Sequence, residues 1–393
     1  MIFIYFIILT LPAYLIRFSI FGLKTNLMDI FLILFLGGWF LRKILRGEKI
    51  KESFLRVRGF LLPAILLLSG VSLAVFKSSD IFVSLGIFKS WFILPVLFFI
   101  AASDIIKTEK QKISVLRVWF FSGIAVALLG FVYYFLGEIT YDGRLKMFFL
   151  SPNHLAMFLA GPFIAGLWFL LEEKGRLKMV YVGLGVFFIG MALFFTKSLG
   201  GFSAILIAVL FLIFSEFKTI IAHNFRNIKI CLAVFLLIFL LAGTFFLFYK
   251  HDFSKTSSLG SRFIIWRSSL KILEDNIIFG IGPGTFQEKY LEYQKYFEPY
   301  LEKDIPQPHN IFLAFWLQTG IMGIVGFLWL IFAFFKNIWE YKKDKIVIFC
   351  ATLMIYSLAH GLVDTIYWKN DLAIIFWLII LLSLPQTTKT AQI

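Results

Sequence analysis

The stretch PNHLAMFLAGPFIAGLWFLL, Pro152–Leu171, decides how the rest of the chain is read. Twenty residues pass without a Lys, Arg, Asp or Glu. A helix of about 20 residues at a rise of about 1.5 Å per residue matches a hydrocarbon core roughly 30 Å thick. Runs of the same character recur near 1–16, 27–41, 59–76, 81–102, 118–137, 179–196 and 201–216, then near 230–249, 310–335, 346–363 and 371–385. They bring the total to twelve. An even number places both termini on one side. The runs are long and continuous, without the alternation of an outer-membrane barrel strand.

Composition agrees. The 393 residues are 60% apolar, 19% aromatic and only 16% charged, and mean hydropathy is +0.89. A soluble domain carries about 45–50% apolar and about 25% charged residues. A water-soluble enzyme, a disordered tail protein and a disulfide scaffold are therefore excluded. The expected fold is an all-α polytopic membrane protein of about twelve transmembrane helices. A net charge of +15 fits cytoplasmic loops better than a nucleic-acid partner, because Lys and Arg gather on the cytoplasmic side of membranes. Cys231 and Cys350 lie in apolar runs with no metal or redox spacing. The first residues lack a basic n-region and a small-residue cleavage site, so Met1–Leu15 reads as a retained span.

Charge counting orients the bundle. With both termini in the cytoplasm, the inner loops and tail hold 22 of the 38 basic residues. The short outer loops hold seven: Arg17, Lys24, Lys77, Arg144, Lys146, Lys197 and Lys369. The chain then divides into residues 1–249, with nine spans, a long extracytoplasmic loop over 250–308, and residues 309–393, with three spans and a short tail. In the loop, Ser261–Phe279 and Phe286–Phe297 carry apolar and aromatic residues at helical spacing around a Gly/Pro turn, which predicts two amphipathic helices on the membrane surface.

On this topology the unusual polar residues gather at the outer face: Asp29, Arg144, Asn153-His154, Lys197-Ser198, Arg262, Arg267, His309, His360 and Asp364. Ionisable groups near membrane depth are expensive and ask for a reason. Each has a plain explanation beside a functional one. Arg262, Trp266 and Arg267 suit headgroup anchoring or an anionic ligand. Gly282 and Gly284 suit a helix cap and turn or a phosphate-cradling nest. Asn310 suits an N-cap, with His309 a solvated residue before it. His360 and Asp364, four apart on one helical face, can satisfy each other. Lys89, inside the fourth run, can snorkel. Asn153 after Pro152 can simply start a helix.

There is no Asp-x-Asp or Asp-Asp pair and no Gly-x-x-x-x-Gly-Lys sequence. An outer-face transferase without hard-metal ligands must offset diphosphate charge with Arg and Lys. The expectation is a reaction with no metal and no cofactor.

The order of segments resembles the O-antigen ligase family, which shares features with Wzy-type polymerases. The likeness rests on Ser261-Arg262-x-x-x-Trp266, Asn276-Ile-Ile-Phe-Gly280-Ile-Gly282-Pro-Gly284-Thr-Phe286, Pro308-His309-Asn310-Ile-Phe-Leu313 and Gln318-Thr-Gly320-Ile-Met-Gly323. Upstream, Arg144 precedes Ser151-Pro-Asn153-His-Leu-Ala156; downstream stand His360-Gly-Leu-Val-Asp364 and Trp368-Lys-Asn-Asp371. The resemblance implies a metal-independent, inverting glycosyltransferase of the bacterial inner membrane. Its glycan donor would be linked to undecaprenyl diphosphate, and its acceptor, such as lipid A core oligosaccharide, would be met at the periplasmic face. His309 and Arg262 would be catalytic. Arg144, Lys197, Arg267, Lys89 and Asn310 would bind diphosphate or substrate, supported by Asn153, Trp266, Gly282, Gly284, His360 and Asp364. A polymerase or a protein O-oligosaccharyltransferase would share the architecture; a transporter of lipid-linked glycans would instead spread polar residues across the midplane. The family often reads Ser-Arg-Gly where this chain has Ser198-Leu199-Gly200, which leaves Lys197 or Arg144 to supply that charge.

Overall fold

A computed structural model describes residues 1–173, 175–215, 243, 258–297 and 305–386. The ninth run near 230–249, with Cys231, lies outside the described residues except for Gly243, as do parts of the 250–308 loop and the tail beyond residue 386. Among the described residues the protein is a helical bundle with one two-stranded sheet. Six helical stretches are long and apolar enough to cross a membrane: Arg58–Val75, Ile81–Ile105, Glu109–Phe135, Pro152–Glu172, Arg176–Thr196 and Ile311–Glu340. Three shorter apolar helices join them: Leu199–Ser215, Lys345–Gly361 and Asn370–Ser383.

In chain order the elements are α1 (Ile2–Leu9), β1 (Arg17–Ile20), β2 (Leu23–Asn26), α2 (Leu27–Leu45), α3 (Ile50–Arg56), α4 (Arg58–Val75), α5 (Ile81–Ile87), α6 (Leu94–Ile105), α7 (Glu109–Phe135), α8 (Pro152–Glu172), α9 (Arg176–Thr196) and α10 (Leu199–Ser215). After them come α11 (Ser258–Asp275), α12 (Phe286–Tyr293), α13 (Ile311–Glu340), α14 (Lys345–Gly361) and α15 (Asn370–Ser383). The helix α8 contains the stretch quoted first. Its apolar window is buried all round, as a helix without a polar face requires, and α7, α9, α10 and α14 pack against it.

The start of the chain differs from expectation. Residues 1–16 do not form one regular span: α1 ends at Leu9, and a 3₁₀ turn, Leu11–Leu15, follows. Pro12 stands at the start of that turn and cannot donate into a continued α-helix. Eight residues rise only about 12 Å. The following loop is an antiparallel hairpin with Arg17 opposite Asn26 and Ile20 opposite Leu23. Its turn, Phe21-Gly22, has φ of 50° and 80°. Positive φ at both central residues is the turn that fits strand twist.

Two helix irregularities shape one end of the bundle. Between α5 and α6 the backbone widens into a π-helical turn, Phe88–Ile93, and such turns re-aim successive side chains. In α13 the helix opens at Gly320, with φ 66°. There the chain before α12 fills the break: Ile281 N donates to Leu317 O at 2.7 Å, and Ile321 N donates to Ile278 O at 3.0 Å. A side chain at Gly320 would collide with the backbone of Ile278 and Phe279. The freed backbone groups are thus satisfied where no water is available.

Candidate functional site

Four loops and helix ends converge at this end of the bundle. Pro152 occupies the first turn of α8, with Ser151 capping its N-terminus; Pro there loses no hydrogen bond and sets Asn153 on the rim. Lys197, with φ 49°, ends α9. Asn310 caps α13, its Oδ1 accepting from Phe312 N and Leu313 N at 3.0 Å each. The segment between α14 and α15 carries Asp364.

These pieces form one continuous polar chain. Arg144 Nη2 donates to Asn153 Oδ1 at 2.7 Å, and Asn153 Nδ2 donates to Asp364 Oδ2 at 3.2 Å. The other Asp364 oxygen lies 3.2 Å from His309 Nδ1 and accepts from Thr365 N at 2.8 Å. A carboxylate can only accept, so Nδ1 of His309 carries the proton. In the neutral ring Nε2 then holds a free lone pair. His309 sits in the left-handed region, φ 48°, and stays 27% exposed while Asp364 is 6% exposed. Backbone strain at a half-open histidine is the kind of cost found at functional sites. Burial alone would raise the Asp364 carboxyl, yet His309, Arg262 and His360 together hold it well below the usual carboxylate range.

Arg262 comes to the same place on α11. Its charge acts on Asp364 and on Arg144, and its Nε is buried with no hydrogen-bond partner. Trp266, one turn further along, donates from Nε1 to His309 O at 3.4 Å, which ties α11 to the histidine. Burial lowers the Arg144 guanidinium from its usual value, with Asp142 opposing and Arg262 adding to the effect. Arg144 Nε also donates to Thr196 O at 2.8 Å, so Arg144 reaches the corner just before Leu199. Lys197 borders that corner and donates to Asp142 O at 3.2 Å. His360 is buried behind Asp364, its Nδ1 2.8 Å from Tyr356 Oη.

Other expected residues stand apart from this cluster. Lys89, on the π turn, pairs with Asp29 at 2.9 Å and bonds Thr25 at 2.7 Å. The pair is a local ion pair, with Ser90 also donating to Asp29 at 2.6 Å. Arg267 lies over the Phe297 ring, 5.2 Å from its centroid. The Asn310 amide is engaged at both ends, since Nδ2 donates to Leu362 O at 3.0 Å. Gly282 and Gly284 turn the chain at φ 90° and 88° against α4 and α5. A side chain would meet Ser78 at 2.7 Å or Ile87 at 2.6 Å, and Gly284 N already donates to Gln318 Oε1 at 2.9 Å.

Some neighbours were given no site role from sequence, although His154, Lys369 and Asp371 stood in the segments quoted there. His154, Asp371 and Tyr14 are fully buried together, with His154 Nε2 3.1 Å from Tyr14 Oη and 3.3 Å from Asp371 Oδ2. Lys369 stands nearby; burial lowers its ammonium, while Asp371 and Asp364 oppose that. The available signal was positional: each lies at or beside the end of an apolar run.

Residues 184–328 match the family model described as O-antigen ligase. Over that stretch, about a third of the chain, the protein is similar to the O-antigen ligase family. Among curated proteins, none matches the chain. The matched region contains Arg262, Trp266 and His309, whereas Arg144, Asn153 and Asp364 lie outside it. The polar chain therefore joins the family region to the rest of the bundle. The match sets this apolar helical membrane protein beside glycosyltransferase-like enzymes of the O-antigen ligase kind.

Proposed function

We propose that the protein transfers a glycan from an undecaprenyl-diphosphate carrier to an acceptor hydroxyl at the periplasmic face of the bacterial inner membrane, with both termini cytoplasmic. The observation that carries this reading is the His309–Asp364 pair standing within the reach of two arginine charges. Asp364 holds the imidazole in the tautomer that leaves Nε2 as a base, the logic of a base oriented by a carboxylate. His309 Nε2 takes the acceptor proton as the acceptor oxygen attacks the anomeric carbon. The bond from that carbon to the diphosphate oxygen breaks, and the pair of electrons leaves with the diphosphate. Arg262 and Arg144 neutralise that charge, an arrangement in which planar guanidinium groups suit phosphate oxygens. Direct displacement inverts the sugar. An activated leaving group requires position and charge more than covalent chemistry, so the reaction is read as metal-independent.

The test is transfer from an undecaprenyl-diphosphate glycan by purified, reconstituted protein, with mass analysis of products over a panel of acceptors. Arg262→Ala and His309→Ala are each expected to lower transfer by at least about 10²-fold while the protein stays folded. Near-normal transfer by both variants would end the proposal. Lipid A core, a second carrier-linked glycan and a peptide serve as acceptors to separate ligase, polymerase and protein-glycosylating activities. Loss of transfer in EDTA with recovery in Mg²⁺ or Mn²⁺ would contradict the metal-independent route.

A further inference from the structure

Beside the histidine cluster a second hollow of about 320 Å³ opens between the β1–β2 hairpin, the π turn and the start of α15, within the size of small-ligand pockets. Arg17, Lys24 and Lys369 line it, and none of its described lining residues is acidic. Among the described residues none of these three cations has a carboxylate within 4.0 Å. The opposite holds one turn away, where Lys89 is spent on Asp29. Asn370 gives an independent sign. It is 7% exposed and lines the hollow. Its Oδ1 accepts from Trp91 Nε1 at 2.9 Å, yet its Nδ2 has no partner. A buried amide donor left unsatisfied is costly, and a ligand oxygen would relieve it. Gln307 and Trp91 complete the wall with an amide and a flat apolar ring, groups that suit sugar hydroxyls and sugar faces.

We propose that this hollow seats the acceptor glycan through an anionic substituent, a sugar phosphate or carboxylate, held by Arg17, Lys24 and Lys369 with Asn370 Nδ2 donating to a ligand oxygen. The assignment to the acceptor rests on the glycosyl-transfer reading, because the diphosphate charges of Arg144 and Arg262 are already placed at Asp364. Lys369 links the two places: it lines the hollow and responds to the charge of Asp364. Gln307 does so along the chain, two residues before His309. An acceptor anchored here by its anion would hold a neighbouring hydroxyl toward Nε2 of His309.

The experiment uses the full-length protein in nanodiscs and measures binding of three probes. They are a phosphorylated core oligosaccharide, the same oligosaccharide after enzymatic removal of phosphate, and farnesyl diphosphate as a mimic of the donor head. The phosphorylated form is expected to bind about tenfold or more tightly than the dephosphorylated form, the worth of one or two charge-assisted hydrogen bonds. Arg17→Ala and Lys369→Gln should each remove most of that preference and leave farnesyl diphosphate affinity within about twofold. Arg17 is exposed on the hairpin, so its variant keeps the test valid should Lys369→Gln fold poorly. In transfer assays the same variants should raise KM for the acceptor by about tenfold with kcat retained. Equal binding of the two oligosaccharides, equal loss of farnesyl diphosphate binding, or full competition by inorganic phosphate at the same concentration would overturn the proposal. Retained phosphate preference together with normal transfer by Arg262→Ala and His309→Ala would instead fault the transfer reading, leaving the anionic-glycan site standing.

Discussion

At one end of the bundle, Lys43 on α2 places Nζ 2.8 Å from Asp104 Oδ2 and 3.3 Å from Glu48 Oε2, and Asp104 also accepts from Trp39 Nε1 at 3.2 Å. Lys112 Nζ donates to the carbonyl of Leu384, the residue that caps the C-terminus of α15, and Arg56 Nη2 donates to Ile106 O at 3.1 Å. At the other end, Arg144, Arg262 and Lys369 gather around Asp364, with Arg17 and Lys24 at the hollow beside it. Cations at the first end close on acids or on helix C-termini, where the dipole welcomes them; Arg56, whose Nε and Nη1 stay unpaired, is the partial exception. At the second end Lys89 closes on Asp29 and Arg144 approaches Asp142 at 3.9 Å, but Arg17, Lys24 and Lys369 line the hollow with no carboxylate within 4.0 Å among the described residues. Both ends are rich in basic residues, so charge count alone does not separate scaffold from site. What separates them is whether the protein itself neutralises the charge.

The largest effect that can break this contrast is at His309 and Asp364. His309→Ala is expected to lower kcat by about 10²–10⁴-fold with little change in thermal stability, measured by reconstituted transfer and by unfolding in detergent. Asp364→Asn should approach the same loss, since the amide no longer fixes Nδ1 as the donor. The pH dependence has a definite sign. Because the Asp364 pKa is lowered in the folded protein, its stabilising contribution is present above the ordinary carboxylate value of about 4. It fades only as pH falls through the lower folded value. Unfolding scans at pH 7 and pH 5 should therefore show no loss from this group. A stability drop between those pH values that disappears in Asp364→Asn would contradict the assignment.

At the opposite end the expected loss is in stability. Lys43 and Asp104 are 2% and 7% exposed, so Lys43→Met leaves a buried carboxylate short of a partner and should cost about 3–5 kcal/mol. The pair Lys43→Met with Asp104→Leu should recover most of it. Transfer per folded molecule should remain within about twofold in both. A large kcat loss in the folded double variant would erase the distinction between the two ends.

Hydropathy made most of this architecture legible, because a membrane span must be long, apolar and helical, and nothing nonlocal alters that. The exceptions are local. Pro12 divided the first apolar run, and the Phe21-Gly22 turn made a hairpin from residues with no strand alternation. Site residues were legible by side but not by contact. His309 and Asp364 both stood at the ends of apolar runs that charge counting set on one face, yet their 3.2 Å approach depends on how α13 meets the α14–α15 connection. Lys89 shows the reverse. Sequence placed it inside the fourth run as a snorkelling lysine, but it pairs with Asp29 of another helix through a π turn that apolar periodicity does not reveal.

Lys89→Ala accordingly sits in the middle of the scale. Asp29 keeps Ser90 and Thr25 as donors, so the expected cost is about 1–3 kcal/mol of stability, with transfer by the folded protein reduced less than about tenfold. Lys89→Arg should restore the pairing charge and, with it, most of the stability.

Arg267 carries the smallest expected effect and tests the contrast most narrowly. It shares α11 with Arg262, five residues away, yet points to a different neighbour: its guanidinium lies 5.2 Å from the Phe297 ring, and its side chain is exposed. Were positive charge at this end enough, Arg267→Ala would weaken diphosphate binding nearly as much as Arg262→Ala. On the geometry it should change farnesyl diphosphate affinity and transfer by no more than about twofold, whereas Arg262→Ala removes a charge that Asp364 and Arg144 both sense. Two arginines on one helix thus provide an internal control, in which composition, depth and helix are held nearly constant and only the surroundings of the guanidinium differ. Equal losses from the two variants would mean that the field of the whole loop, rather than a placed side chain, binds the anion.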